Sequence, residues 1–197
     1  MRHALLFSFL AFAVGTLRAA DYFWQPVDGD WNGAWNDTAH WRSDAPGSSG
    51  YPSTLSDNAS FIDCTLDNPV EVSLGDGTIS AKNIRWFGTN ASEVAFVGKG
   101  AASTTLQLGT ISTASSADPI PSNSKVEFRD TTLSRPGWTI VKQVAGITNV
   151  TVRFDGVVET QSSFLQLSAP FSRLEFVDSV ILTGGVESGR DEHCPAR

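Results

Sequence analysis

The sequence predicts an all-β fold, built as a short right-handed parallel β-helix, on three observations. Helical periodicity is nearly absent after residue 20. In its place stand short runs rich in Val, Ile, Phe and Thr, separated by Gly, Asn, Asp, Ser and Pro. In the second half an alternating apolar pattern recurs at about two dozen residues, a solenoid period. The other arrangement open to so many short strands is a β-sandwich.

The chain begins with signal-peptide grammar over residues 1–20. Arg2 and His3 make a basic start, Ala4 to Val14 an apolar run, and Leu17-Arg18-Ala19-Ala20 a small-residue cleavage region. The apolar run is about half of what a membrane-crossing helix needs, so it reads as a removed signal and not an anchor. Cleavage after Ala19 places Leu17 and Ala19 at the recognised positions, whereas cleavage after Ala20 places Arg18 there. The mature chain is therefore expected outside the cytoplasm, secreted or at a cell surface, with no membrane span. Loss of Arg2 and Arg18, with no acid, moves the formal charge from −7 to about −9. So acidic a chain is a poor partner for nucleic acid or anionic membrane.

Residues 21–62 carry the densest signal. Trp24, Trp31, Trp35 and Trp41, four of the six tryptophans, fall within eighteen residues, and Pro46, Gly47 and Pro52 then lead to Asp57-Asn-Ala-Ser-Phe61. Stacked coils leave open edges and an exposed core at each end, so a solenoid needs atypical terminal segments. These indoles are expected to cap the first coil; the competing reading is an exposed aromatic platform, Trp24, Trp31, Trp35 and Trp41, stacking on sugar rings. The order Trp, Gly-Asp-Trp-Asn, Trp-Asn-Asp-Thr-Ala-His-Trp, Pro, Asp-Asn-Ala-Ser-Phe resembles the opening motif of secreted parallel β-helix proteins of the autotransporter-passenger and pectin-lyase-like kind. The resemblance implies a passenger-like surface or secreted module. The chain departs from the autotransporter pattern in lacking a C-terminal series of strands long enough for an outer-membrane barrel.

Residues 63–187 read as the coils. Strands are expected at 59–62, 70–74, 83–87, 93–97, 105–108, 125–128, 138–142, 150–154, 164–167, 173–176 and 180–183. Lys125-Val-Glu-Phe-Arg-Asp130, Val150-Thr-Val-Arg-Phe-Asp155 and Arg173-Leu-Glu-Phe-Val-Asp178 share the repeated pattern, each followed by a second apolar segment beyond a corner. Stacking these copies makes Phe128, Phe154 and Phe176 an internal aromatic ladder and sends Glu127, Arg153 and Glu175 outward. Asp130, Asp155 and Asp178 are expected to bond their own turns at equivalent corners, with an external calcium ladder as the competing reading. Residues 188–197 form a polar tail with no pattern to close the last coil, so self-association through an open C-terminal end is expected.

Chemistry is scarce. His3 leaves with the signal, His40 lies in the tryptophan motif and His193 in the tail, so nucleophilic catalysis has almost no material. Arg129, Arg153 and Arg173 recur beside acids, as in polysaccharide-active β-helix enzymes, but a solvated charge ladder between coils explains them more simply. Cys64 and Cys194 could form a disulfide in an oxidising compartment; there is no Cys/His metal cluster. The expectation is a non-catalytic secreted or surface module of adhesin-like, passenger type, without cofactor or metal. A glycan-binding module and a polysaccharide-active enzyme are the alternatives, with carbohydrate or a cell-surface component as partner.

Overall fold

The computed structural model describes residues 20–44, 50–62, 64–87, 90–111, 120–134, 139–141, 146–159, 164–167, 169–181 and 185–188. Residues 1–19 of the signal segment and residues 189–197, Cys194 among them, lie outside that set. The N-terminal part holds β1 (Asp21–Trp24), β2 (Gly33–Ala34), a 3-10 turn at Thr38–His40 and β3 (Trp41–Ser43). There follow β4 (Asn58–Ile62), β5 (Val70–Gly75), β6 (Gly77–Phe87), β7 (Glu93–Gly98), β8 (Thr104–Ile111) and β9 (Lys125–Arg129). The remaining strands are β10 (Thr132–Ser134), β11 (Thr139–Val141), β12 (Thr151–Asp155), β13 (Val158–Glu159), β14 (Phe164–Leu167), β15 (Arg173–Val177), β16 (Val180–Ile181) and β17 (Gly185–Ser188). Every expected strand has a counterpart, most within two residues of the expected bounds; the largest gap is β6, which starts six residues before the expected Asn83.

The chain deals these strands to separate sheets in turn. One sheet runs β16-β13-β10-β8-β6-β4-β1-β3, a second β15-β12-β9-β7-β5-β2, and a third, beginning later in the chain, β11-β14-β17. Consecutive strands of a sheet belong to successive circuits and pair in parallel, as for β4 with β6 and β7 with β9. The exception is β3, which lies antiparallel on β1 at the edge of the first sheet. The fold is a parallel β-solenoid.

Because pairing is parallel and in register, like residues stack. Phe96, Phe128, Phe154 and Phe176 are consecutive rungs on β7, β9, β12 and β15. Their ring centroids are 5.3, 5.7 and 5.3 Å apart and each pair lies within 17° of parallel. Beside them runs a second column, Val70, Val94, Val126, Val152 and Leu174. The first four of that column and the first three phenylalanines are at most 2% exposed. Each stacked aromatic pair adds about 0.5–1.5 kcal/mol beyond area burial. Among the described residues one inward column, Leu106, Leu133, Glu159, carries a carboxylate, and Glu159 is 2% exposed.

The corners correct the sequence reading. Aligning copies on their phenylalanines puts Asp155 opposite Arg129 and Val177, so Asp130, Asp155 and Asp178 are not equivalent. The residue stacked between Asp130 and Asp178 is Gly156, and all three have positive φ, at 49°, 62° and 45°. A corner in the left-handed region admits Gly freely and Asp tolerably, and that backbone demand selected the aspartates. A calcium ladder would need three carboxylates in line there, and the middle position has none.

Candidate functional site

The outer face of the sheet containing β5, β7, β9, β12 and β15 gathers the most chemistry. Alternation along β9 turns Val126 and Phe128 inward and Lys125, Glu127 and Arg129 outward. Register then sets Glu71, Ala95, Glu127, Arg153 and Glu175 in one outward column. Glu127 faces out yet is only 6% exposed, because three cations fold over it. Lys125 Nζ, Arg129 Nη2 and Arg153 Nε each lie 3.3 Å from its carboxylate oxygens. Arg153 also reaches Asp155 at 2.8 Å and Glu175 at 3.7 Å, while Lys125 holds Glu93 at 2.9 Å and Arg129 approaches Glu71 at 3.6 Å.

This lattice biases its own protonation. The hydrogen bond to Glu93 comes first in lifting the Lys125 ammonium above the usual lysine range; desolvation opposes it and the charge of Glu127 adds to it. Desolvation alone would lower Arg129, but the hydrogen bond and charge of Glu127, with Glu71 and Asp155, raise it. Arg153 is raised chiefly by its hydrogen bond to Asp155. In the core, burial and then Asp57 lift the Tyr22 phenol. A group whose pKa rises on folding contributes stability that is complete below its unfolded value and is lost as pH climbs through the folded one. Urea melts should therefore hold from neutrality to about pH 10 and weaken above it. Lys125→Met and Tyr22→Phe should each flatten part of that alkaline limb, and identical limbs in all three proteins would show these groups uncoupled from folding.

Between Glu71 and Glu127 the column carries only Ala95, whose methyl leaves a shallow depression of about 440 Å³. Asn32, Glu71, Glu93, Lys125, Glu127 and Arg129 line it with Pro69 and Val70. The sequence reading found the outward charges but not this hollow. Its signal was the small residue at 95 where neighbouring copies carry long ones.

The tryptophans point the other way. Trp24, Trp35 and Trp41 are 1, 1 and 5% exposed, and only Trp31 of the four is partly open. Their indole N–H groups are used within the segment: Trp24 donates to the Trp31 carbonyl at 2.9 Å, Trp35 to Pro52 at 2.8 Å and Trp41 to Trp35 at 2.6 Å. Trp24 stacks flat on His40, with centroids 4.6 Å apart at 9°. That histidine is buried, and its Nδ1, 3.0 Å from the Gln25 carbonyl, must carry the proton it donates. Its ring fills the space where a Cβ on Gly33 would lie 2.3 Å from Nε2. A sugar-stacking platform needs at least two open indole faces, and these four do not supply them.

Cys64 is buried in the core, while Cys194 lies outside the described residues. Among the described residues no group of three His, Cys, Asp or Glu is placed to hold a metal ion, and no helix is long and apolar enough to cross a membrane. The chain matches no family model, no curated protein and no solved structure. The resemblance to autotransporter-passenger and pectin-lyase-like proteins therefore rests on the N-terminal motif and the coil architecture alone.

Proposed function

We propose that the protein is a non-catalytic module of passenger type, secreted or held at a cell surface, whose work is to present a rigid and chemically quiet exterior. One observation carries this reading. On the outer face of β5 to β15 the carboxylates and cations are turned toward one another across successive strands, Glu127 between Lys125, Arg129 and Arg153, and do not converge on a cleft as an acid with its base. On this reading the buried tryptophans serve as the N-terminal cap. The glycan-binding alternative keeps one feature in its favour, the polar hollow over Ala95, with carboxylates at its rim to accept from hydroxyls.

Two measurements test the proposal. N-terminal sequencing of exported protein should begin at Ala20. Ala20 is 4% exposed, and its carbonyl accepts from the Asn58 amide at 2.9 Å, so cleavage one residue later would remove a core contact. Protein that stays in the cytoplasm with residues 1–20 attached would sink the localisation. Tryptophan emission should be blue-shifted, poorly quenched by acrylamide and indifferent to a panel of soluble polysaccharides. Saturable binding of one polysaccharide, abolished by Ala95→Arg, would replace this reading with a glycan module.

A further inference from the structure

The last described circuit differs from those before it. Each of the three sheets ends on one of its strands, β15, β16 or β17. Four large apolar side chains are exposed among the described residues, Leu66, Phe171, Phe176 and Val180, and the last three belong to this circuit, at 79, 42 and 55%. Phe171 is also held in the left-handed region, φ 57°. Its counterparts, two residues ahead of β9 and β12, are Asn123 (φ 65°) and Asn149 (φ 55°), and the Asn149 amide donates to the Asn123 side-chain oxygen at 2.8 Å. Asparagine tolerates that backbone; a phenylalanine is strained there, and here its ring stands in water. Strain plus exposure at one rung of an otherwise polar ladder points to a surface that something covers.

The opposite end does not suit a second copy. There β3 already lies antiparallel on β1, and Trp24, Trp35 and Trp41 are buried. Among the described residues β1, β2 and β3 expose no large apolar side chain, so the apolar contact forms tail to tail, an arrangement that closes on itself without propagating.

The outer edge of β15, unpaired among the described residues, is self-complementary. The Arg173 amide donates to Val150 and the Val177 carbonyl accepts from Gly156, so both address β12. In a parallel ladder alternate residues serve opposite neighbours, so Ser172, Leu174 and Phe176 turn their backbone groups to the open edge. An antiparallel pairing centred on Leu174 would use those groups. It would set Arg173 against Glu175 of the second copy twice over, Ser172 against Phe176 and Phe171 against Val177. Moving the centre to Glu175 opposes two glutamates and moving it to Arg173 opposes two arginines, so charge selects this register.

We propose that two copies of the chain associate tail to tail, β15 antiparallel to β15 about a two-fold axis at Leu174, covering Phe171 and Phe176. The test is sedimentation of the full mature chain over a concentration series, with reductant present so that a cysteine cross-link does not imitate the contact. The expected result is a reversible dimer. Arg173→Glu and Glu175→Arg should each weaken it about tenfold or more, and the double exchange should restore it. Phe171→Asn should weaken the dimer while leaving the thermal midpoint of the dilute monomer unchanged or raised, which separates loss of contact from loss of fold. A monomer throughout the series, or a dimer indifferent to the charge exchange, would overturn the proposal.

Discussion

Replacing Phe128 by alanine is expected to cost about 3–5 kcal/mol, enough to bring a domain of ordinary stability, about 5–15 kcal/mol, close to unfolding. Phe128 is the middle of the phenylalanine ladder, fully buried, with Phe96 5.3 Å below and Phe154 5.7 Å above. Its removal opens a void that the rings on either side cannot fill, because in-register strands fix both in place. Phe176→Ala deletes the same side chain from a position 42% exposed and, among the described residues, stacked on Phe154 alone, and should cost about 1–2 kcal/mol. Urea unfolding of both variants, in solution dilute enough to hold the monomer, checks the contrast. Equal losses would show that stacking along the axis does not organise the core.

Trp24→Ala should be comparably severe, about 3–5 kcal/mol, for a different set of reasons. The indole lies flat on His40, meets Trp41 edge-on at 4.9 Å and packs on Phe61 at 5.9 Å. Truncation also strips the Trp31 carbonyl of its donor. Since β1 carries both β3 and β4 in the first sheet, amide exchange should accelerate first in these three strands and reach β9 and β12 only through global opening. Trp31→Ala, at a partly open position, should change little. A Trp24→Ala protein within about 1 kcal/mol of the parent would remove the case for a structural N-terminal cap.

Much of the architecture was legible because solenoid register converts sequence similarity directly into contact. Phe128, Phe154 and Phe176 could be stacked from their alternating neighbours, and those neighbours faced outward as the alternation required. Phe96 belongs to the same ladder but is not legible in the repeat, since the chain between it and Phe128 is longer than between later rungs and the period is broken there. Asp155 was misaligned because aspartate follows Phe154 directly but is separated from Phe128 and Phe176 by Arg129 and Val177. Composition marks a corner, while only hydrogen-bond register fixes which residue occupies it. Pattern also could not reveal β3, whose antiparallel pairing comes from a turn that folds Trp41 back on Trp24, nor Glu159, a carboxylate at an inward position. The hollow over Ala95 escaped because a depression depends on what three successive strands present side by side.

The spacing of the rungs carries an evolutionary consequence. Val72, Phe96, Phe128, Phe154 and Phe176 stack in unbroken register, yet 24, 32, 26 and then 22 residues separate one from the next. Strand pairing is therefore indifferent to how much chain is spent between circuits. Insertions and deletions confined to the turns can accumulate while the ladder stays intact, so descendants of such a protein would diverge in length as readily as in sequence. The same indifference makes the turns natural places to graft a foreign peptide, displayed at a height along the axis chosen by the circuit that receives it.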